Sequence, residues 1–224
     1  MKTGFITEEV DSFIWERASV FVKDVAETKK TIALFSVSDS GMMALGFRDS
    51  SGNFVNIYDE TGEFQRGVSF HTPGSYFLGW SDDNLLIFCT RSSWILMIGE
   101  DGELLDVRRM LDNRENSIHR NANYWRVTQR DIDGITYRIR KDTGLLSFLT
   151  IRYSVAEIIF PDGTVKTVYD VSNLHFWRMH IRAICAICFV GIVAFILWKT
   201  VVNALKKELK AGQRMAFHDP RAQR

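Results

Sequence analysis

A chain of 224 residues with 28 basic and 27 acidic side chains carries a formal net charge of +1, and before Trp177 its basic residues form no patch that repeats or alternates with aromatics, so nucleic acid is excluded as an expected partner. Its three cysteines, Cys89 in a strand-like run and Cys185 and Cys188 in the most apolar stretch, exclude a disulfide framework for the polar part. Setting one hydrophobic segment and a tail aside leaves enough chain for a single domain with a sizeable core.

Residues 1–9 hold one lysine, two glutamates and no apolar run of seven, so no cleavable signal peptide is expected. Residues 1–30 read as an N-terminal segment in which a helix would start at the cap Thr7, with Glu8 and Glu9 in its first turn and Val10, Phe13, Ile14, Ala18, Phe21 and Val25 along one face. The β-branched residues of 19–25 also permit a strand, which would let the segment complete a sheet further on.

From residue 31 to 175 the pattern is short apolar runs separated by turn residues, which predicts an all-β domain. A first set (32–37, 42–47, 54–58, 64–70) is repeated about forty residues later by a second (76–80, 85–90, 94–98, 104–110), and a looser third follows (124–128, 135–139, 155–160, 165–169). The echo is clearest between third and fourth strands: Ile57 with Gly62-Glu63-Phe64, Ile98 with Gly102-Glu103-Leu104, and Ile159 with Gly163-Thr164-Val165. Glycine suits those turns because a tight hairpin needs positive φ there. The expected fold class is mainly β, in propeller-like four-stranded repeats making about three blades, where four to eight normally close a ring. Strands from the segment near Val20, an incomplete propeller, or a second copy would each resolve the deficit; an ordinary β-sandwich is the competing reading.

Phosphate loops, dinucleotide fingerprints, HExxH and GxSxG are missing from the sequence, and no catalytic residue, cofactor or metal is assigned. Asp39, Asp49, Asp59, Asp82, Asp83, Asp101 and Asp162 recur at hairpin tips, where turn chemistry explains them. His71 and His119 give no catalytic pairing, and His175 and His180, five apart on a helix, would point about 140° away from each other, as headgroup-level residues rather than metal ligands. Trp80, Trp94 and Trp125 are the candidate binding surface, as indoles that would line a groove for a peptide or sugar; core packing is their ordinary alternative.

Residues 183–198 contain no charge, and residues 181–202 are expected to form a transmembrane helix. Trp177 and Trp198 are twenty-one residues apart, about 31 Å along a helix, which matches the two interfacial belts, and Arg182 and Lys199 are placed to snorkel to the headgroups. Within lipid Cys185 and Cys188 read as small packing residues, with acylation as the functional alternative. Residues 203–224 form a basic tail whose first part continues as an amphipathic helix, with Gly212 as its stop. Lys199, Lys206, Lys207, Lys210 and Arg214 outnumber Arg178 and Arg182, which argues for a cytosolic tail; the missing signal peptide argues for a cytosolic β domain, and the second is preferred. The expected protein is a single-pass membrane protein presenting a non-catalytic interaction or sensing domain to a protein partner or a second copy; a membrane-attached hydrolase or carbohydrate-binding protein is the alternative.

Overall fold

One hairpin recurs through the chain and sets how its strands pair. In 38–42, 59–63, 99–103 and 160–164 the first residue's N–H donates to the fifth residue's carbonyl, and the glycine N–H donates back to the first carbonyl, at distances between 2.8 and 3.1 Å. The glycines Gly41, Gly62, Gly102 and Gly163 have φ of +90°, +81°, +81° and +85°. This is a type I turn closed by a left-handed residue, the three-residue hairpin loop whose geometry suits twisted antiparallel strands.

The computed structural model describes residues 3–10, 20–49, 52–124, 127–142 and 144–216. These form β1 (Thr7–Glu9), β2 (Val20–Lys23), β3 (Ile32–Val37), β4 (Met43–Asp49), β5 (Gly52–Tyr58), β6 (Phe64–Phe70), β7 (Tyr76–Ser81), β8 (Asn84–Cys89), β9 (Trp94–Ile98) and β10 (Leu104–Met110). Helix α1 (Arg114–Asn123) precedes β11 (Gln129–Ile132), β12 (Ile135–Arg140), β13 (Val155–Ile159) and β14 (Val165–Asp170), and α2 (Ser172–Ala216) ends the described chain. Three antiparallel sheets result, ordered β2-β6-β5-β4-β3, β1-β10-β9-β8-β7 and β11-β12-β13-β14. The fold is mainly β and propeller-like, with one long apolar C-terminal helix.

The expected N-terminal helix is not found at Thr7. Residues 7–9 instead pair with β10, Glu8 opposite Arg109 and Glu9 opposite Arg108, with ion pairs of 3.5 and 3.2 Å. A free sheet edge whose cations meet these carboxylates across the strands outcompetes the first turn of an isolated helix. Val20–Lys23 likewise pairs with β6, the strand alternative. The remainder of the expected helix, 11–19, lies outside the described residues.

The strand expected at 124–128 is also corrected. Tyr124 caps α1, whose sequence carries a single large apolar residue, Ile118, itself 57% exposed, so hydrophobic periodicity gives it away poorly. Its start is local chemistry: Asn113 accepts from the Asn116 N–H at 2.8 Å. Buried Asn116 then ties the N-terminal segment to the helix, accepting from the Ile6 N–H at 2.8 Å and donating to the Ile6 carbonyl at 2.9 Å. β11 extends through Asp131 and Ile132, leaving Asp133-Gly134 as a two-residue hairpin with φ of +49° and +80°.

Alternation along β3 to β6 gives the first sheet two apolar faces. One, including Phe35, Met43, Leu45 and Phe47, packs on Tyr137, Ile139, Ala156 and Ile158 of the third sheet. The other, with Val55, Ile57 and Val68, packs on Leu78, Leu85, Ile87 and Leu96 of the second. The far face of the second sheet, Phe77, Leu86, Phe88 and Ile95, is covered by Phe5 and Tyr124. Among the described residues no core cluster joins the second and third sheets, so the first sheet carries the apolar packing to both.

The third sheet carries a charged cluster between β12 and β13. Glu157, its side chain 5% exposed, accepts from Arg138 Nε at 2.9 Å and Arg140 Nε at 2.8 Å. Burial alone would raise its pKa and is the largest single influence, but the hydrogen bonds and charges of Arg140 and Arg138 together hold the carboxyl below its usual range. A depressed carboxyl contributes stability that is present above its unfolded pKa of about 4.3 and lost as pH falls through the lower folded value. Since both arginines are about 40% exposed and screened, Glu157→Gln should lower stability by about 1–2 kcal/mol at pH 7. The stability gap between the two proteins in urea melts should be full above the unfolded pKa of about 4.3 and narrow as pH falls below it; a gap that does not narrow on acidification would contradict the pairing.

The chain separates into two units, Met1–Phe176 and Trp177–Arg224. His175, expected at headgroup level, belongs to the first and is buried there at 7% exposure, its N–H donated to the Val171 carbonyl. The second unit is the rest of α2. Its helical conformation passes through Gly212 to Ala216, so that glycine is not the stop: helical φ and ψ are open to glycine, and only a left-handed cap would end the helix there.

Candidate functional site

The inner strands of the first two sheets, β3 and β7, meet beside Gly46, while Gly79 leaves room on the far face of the second sheet. A Cβ on Gly46 of β4 would lie 2.9 Å from Leu34 Cβ and 3.0 Å from the Tyr76 hydroxyl; one on Gly79 of β7 would lie 2.6 Å from the Tyr124 ring and 2.8 Å from Phe88. Tyr76, fully buried, anchors this crossing with its hydroxyl 2.9 Å from the Phe47 carbonyl and 3.2 Å from that of Phe54. Burial pushes its phenol pKa upward, which keeps the donor protonated.

Tyr124 lies over the second sheet beside Gly79, held by an aromatic cluster. Ring centroids are 4.8 Å apart for Phe88 and Tyr124, 4.9 Å for Phe5 and Phe88, and 4.7 Å for Phe5 and His119. Asn123 Nδ2 donates to the His119 carbonyl at 2.9 Å and lies 3.0 Å from His119 Nδ1, so Nδ1 accepts and the ring hydrogen sits on Nε2, which reaches the Thr3 carbonyl at 3.3 Å. His119 thus serves to join the N-terminal segment to α1.

Two cavities of about 490 Å³ each lie along this wall and share Phe35, Leu78, Tyr124 and Val127. The polar one is bordered by Asp39, Asp82, Trp80, His119, Asn123 and Arg130. Arg130 bridges sheets there, 2.5 Å from Asp39 and 2.5 Å from the Val37 carbonyl, while Ser40 donates to Asp83. The other is mostly apolar, and its charged residues are Arg48, Lys141 and Arg152, with no acid among the residues that line it. Among the described residues no group of three or more His, Cys, Asp and Glu is placed to hold a metal.

Trp80 lines the polar cavity, and its indole N–H is buried without an acceptor among the described residues. Trp94 is not beside it. Trp80 pairs with Leu85 at one end of the second sheet and Trp94 with Cys89 at the other, both packing on the core between the first two sheets. Trp125 lies outside the described residues. On α2, Trp177 and Trp198 are 58% and 69% exposed, and Arg182 and Lys199 are exposed as well. Sequence reasoning missed Arg48, Lys141 and Arg152, which come from three separate segments and leave no local spacing to find.

No protein-family model and no curated protein matches the chain. Among solved structures a streptogramin B lyase aligns with 12% identity and a TM-score of 0.28, over 70% of this chain and 46% of that one. The chain spans less than half the length of that protein, and a likeness at this level carries no argument about chemistry; the architecture stands on the strand pairing itself.

Proposed function

We propose that the protein is a single-pass membrane protein that presents a non-catalytic β domain for interaction or sensing. The observation that carries this reading is α2: its most apolar 18-residue window has a mean hydropathy of 2.5, and none of that window is buried against the rest of the chain. Eighteen residues span about 27 Å, close to the roughly 30 Å of bilayer hydrocarbon, and an apolar surface of that extent in water is strongly unfavourable. Trp177, Arg182, Trp198 and Lys199 supply its interfacial anchors.

The recurrent aspartates support a structural rather than a catalytic role. Asp59 accepts from the Thr61 and Glu63 N–H groups, both at 2.9 Å, and from Gln65, so its oxygens serve the hairpin. A protein partner or second copy is supported by β2, the terminal strand of its sheet, where Phe21 is 63% exposed and nearby Val25 is 78% exposed. The carbohydrate-binding or hydrolytic alternative has one observation in its favour, Asp39 and Asp82 bordering the same cavity as Trp80; against it, Asp39 is engaged by Arg130 and its side chain is 95% exposed.

Carbonate washing of membranes tests the anchor: the full chain should stay in the pellet, and release into the supernatant would refute integral insertion. Protease added to sealed vesicles reads the side on which the β domain lies. Turnover of a glycoside or ester by the purified protein, lost on Asp39→Asn, would replace the binding-module reading by the alternative.

A further inference from the structure

Arg48, Lys141 and Arg152 converge on the apolar cavity from β4, from just beyond β12 and from the segment before β13. Their charges are unbalanced there. Arg48 Nη1 donates to the Ser75 hydroxyl at 2.9 Å and Lys141 Nζ to the Thr150 carbonyl at 2.5 Å, both neutral acceptors. The Arg152 guanidinium has no hydrogen bond or ion pair among the described residues; only its backbone N–H is engaged, by Thr150. Burial first, then the neighbouring charge of Arg48, lowers the Arg152 pKa, with Tyr76 opposing. Folding has placed like charges beside one another in the lining of an apolar cavity, and no acid lines it to relieve them.

The remaining walls say what would. Phe35, Leu78, Val127 and Ile139 supply apolar lining, and a volume of about 490 Å³ is within the ordinary range of small-molecule sites. An inorganic anion would leave these walls wet, and a neutral apolar molecule would leave the cations uncompensated. Guanidinium pairs match carboxylate, phosphate and sulfonate oxygens by paired hydrogen bonds. We propose that this cavity binds an amphiphilic anion, with an apolar body against Phe35, Leu78 and Val127 and a carboxylate, phosphate or sulfonate head held by Arg48, Arg152 and Lys141. The inference rests on the cavity alone and does not depend on the membrane anchor.

The test uses the full chain in phosphatidylcholine nanodiscs, titrated by calorimetry with dodecanoate, dodecanol and inorganic phosphate, and corrected for partitioning into empty nanodiscs. Saturable one-to-one binding of dodecanoate is expected, at least tenfold tighter than either of the other two probes. Arg48→Gln with Arg152→Gln should weaken dodecanoate at least tenfold, and Lys141→Gln, at an exposed position and with its melting compared with the parent chain, at least threefold. Dodecanol binding as tightly as dodecanoate, the absence of saturable dodecanoate binding, or an affinity unchanged in Lys141→Gln would overturn the proposal. Replacing part of the phosphatidylcholine by phosphatidylglycerol distinguishes the source: competition with dodecanoate assigns the natural ligand to the bilayer, and its absence to the aqueous phase, the site standing in both cases. Should carbonate release the chain from membranes, the same titration in buffer keeps the two questions separate.

Discussion

Gly102→Val should lower the stability of the β domain by about 4 kcal/mol, and Gly163→Val, at the equivalent hairpin position, by only about 2 kcal/mol. Both glycines are left-handed, with φ of +81° and +85°, so any side chain there carries backbone strain of about 1–3 kcal/mol. The surroundings differ. A Cβ on Gly102 would lie 2.5 Å from Val22 Cγ2, whereas one on Gly163 meets nothing within 4 Å. Displacing Val22 disturbs the pairing of β2 with β6, an overpacking penalty of about 1–3 kcal/mol that Gly163→Val does not incur. Chemical denaturation of both variants is the measurement, and Val22→Ala in the Gly102→Val background should recover part of the difference. Equal losses at the two glycines would mean that β2 does not press on the hairpin.

Val190→Arg should abolish stable insertion of α2 in a large fraction of molecules. Val190 is 65% exposed near the middle of the uncharged stretch, and an arginine at the centre of a span raises the insertion free energy by about 2.5–3.5 kcal/mol. Val201→Arg, close to Lys199 and within snorkelling reach of the headgroups, should have a much smaller effect. Carbonate extraction of the two variants, expressed at equal levels, compares them directly. Equal retention would indicate that the chain is held at the membrane by something other than α2, and removal of residues 183–202 should then leave fractionation unchanged.

Short-range chemistry is what the sequence by itself determined. The hairpins at Gly62, Gly102 and Gly163 were legible because a tight turn requires a left-handed residue within a few positions of its acceptors, and that requirement is written in consecutive residues. Alternating apolar runs made the domain β and grouped it by fours, and the uncharged run 183–198 made the last helix apolar on all sides.

Tertiary structure decided whatever depends on a distant partner. Thr7–Glu9 is a strand because the edge of β10 carries Arg108 and Arg109 a hundred residues away, and α1 holds its place through Asn116 and the Ile6 backbone rather than through an apolar stripe. Alternation along β12 likewise serves distant partners: Tyr137 and Ile139 pack on the first sheet, while Arg138 and Arg140, alternating with them, turn to Glu157 of β13. The same holds for sites. Trp80 and Trp94 looked alike in sequence but lie at opposite ends of one sheet, whereas Arg48, Lys141 and Arg152, unrelated by spacing, meet at one cavity. Convergence of that kind is a property of how sheets stack, and stacking is chosen by the summed burial of many side chains, which no local pattern encodes.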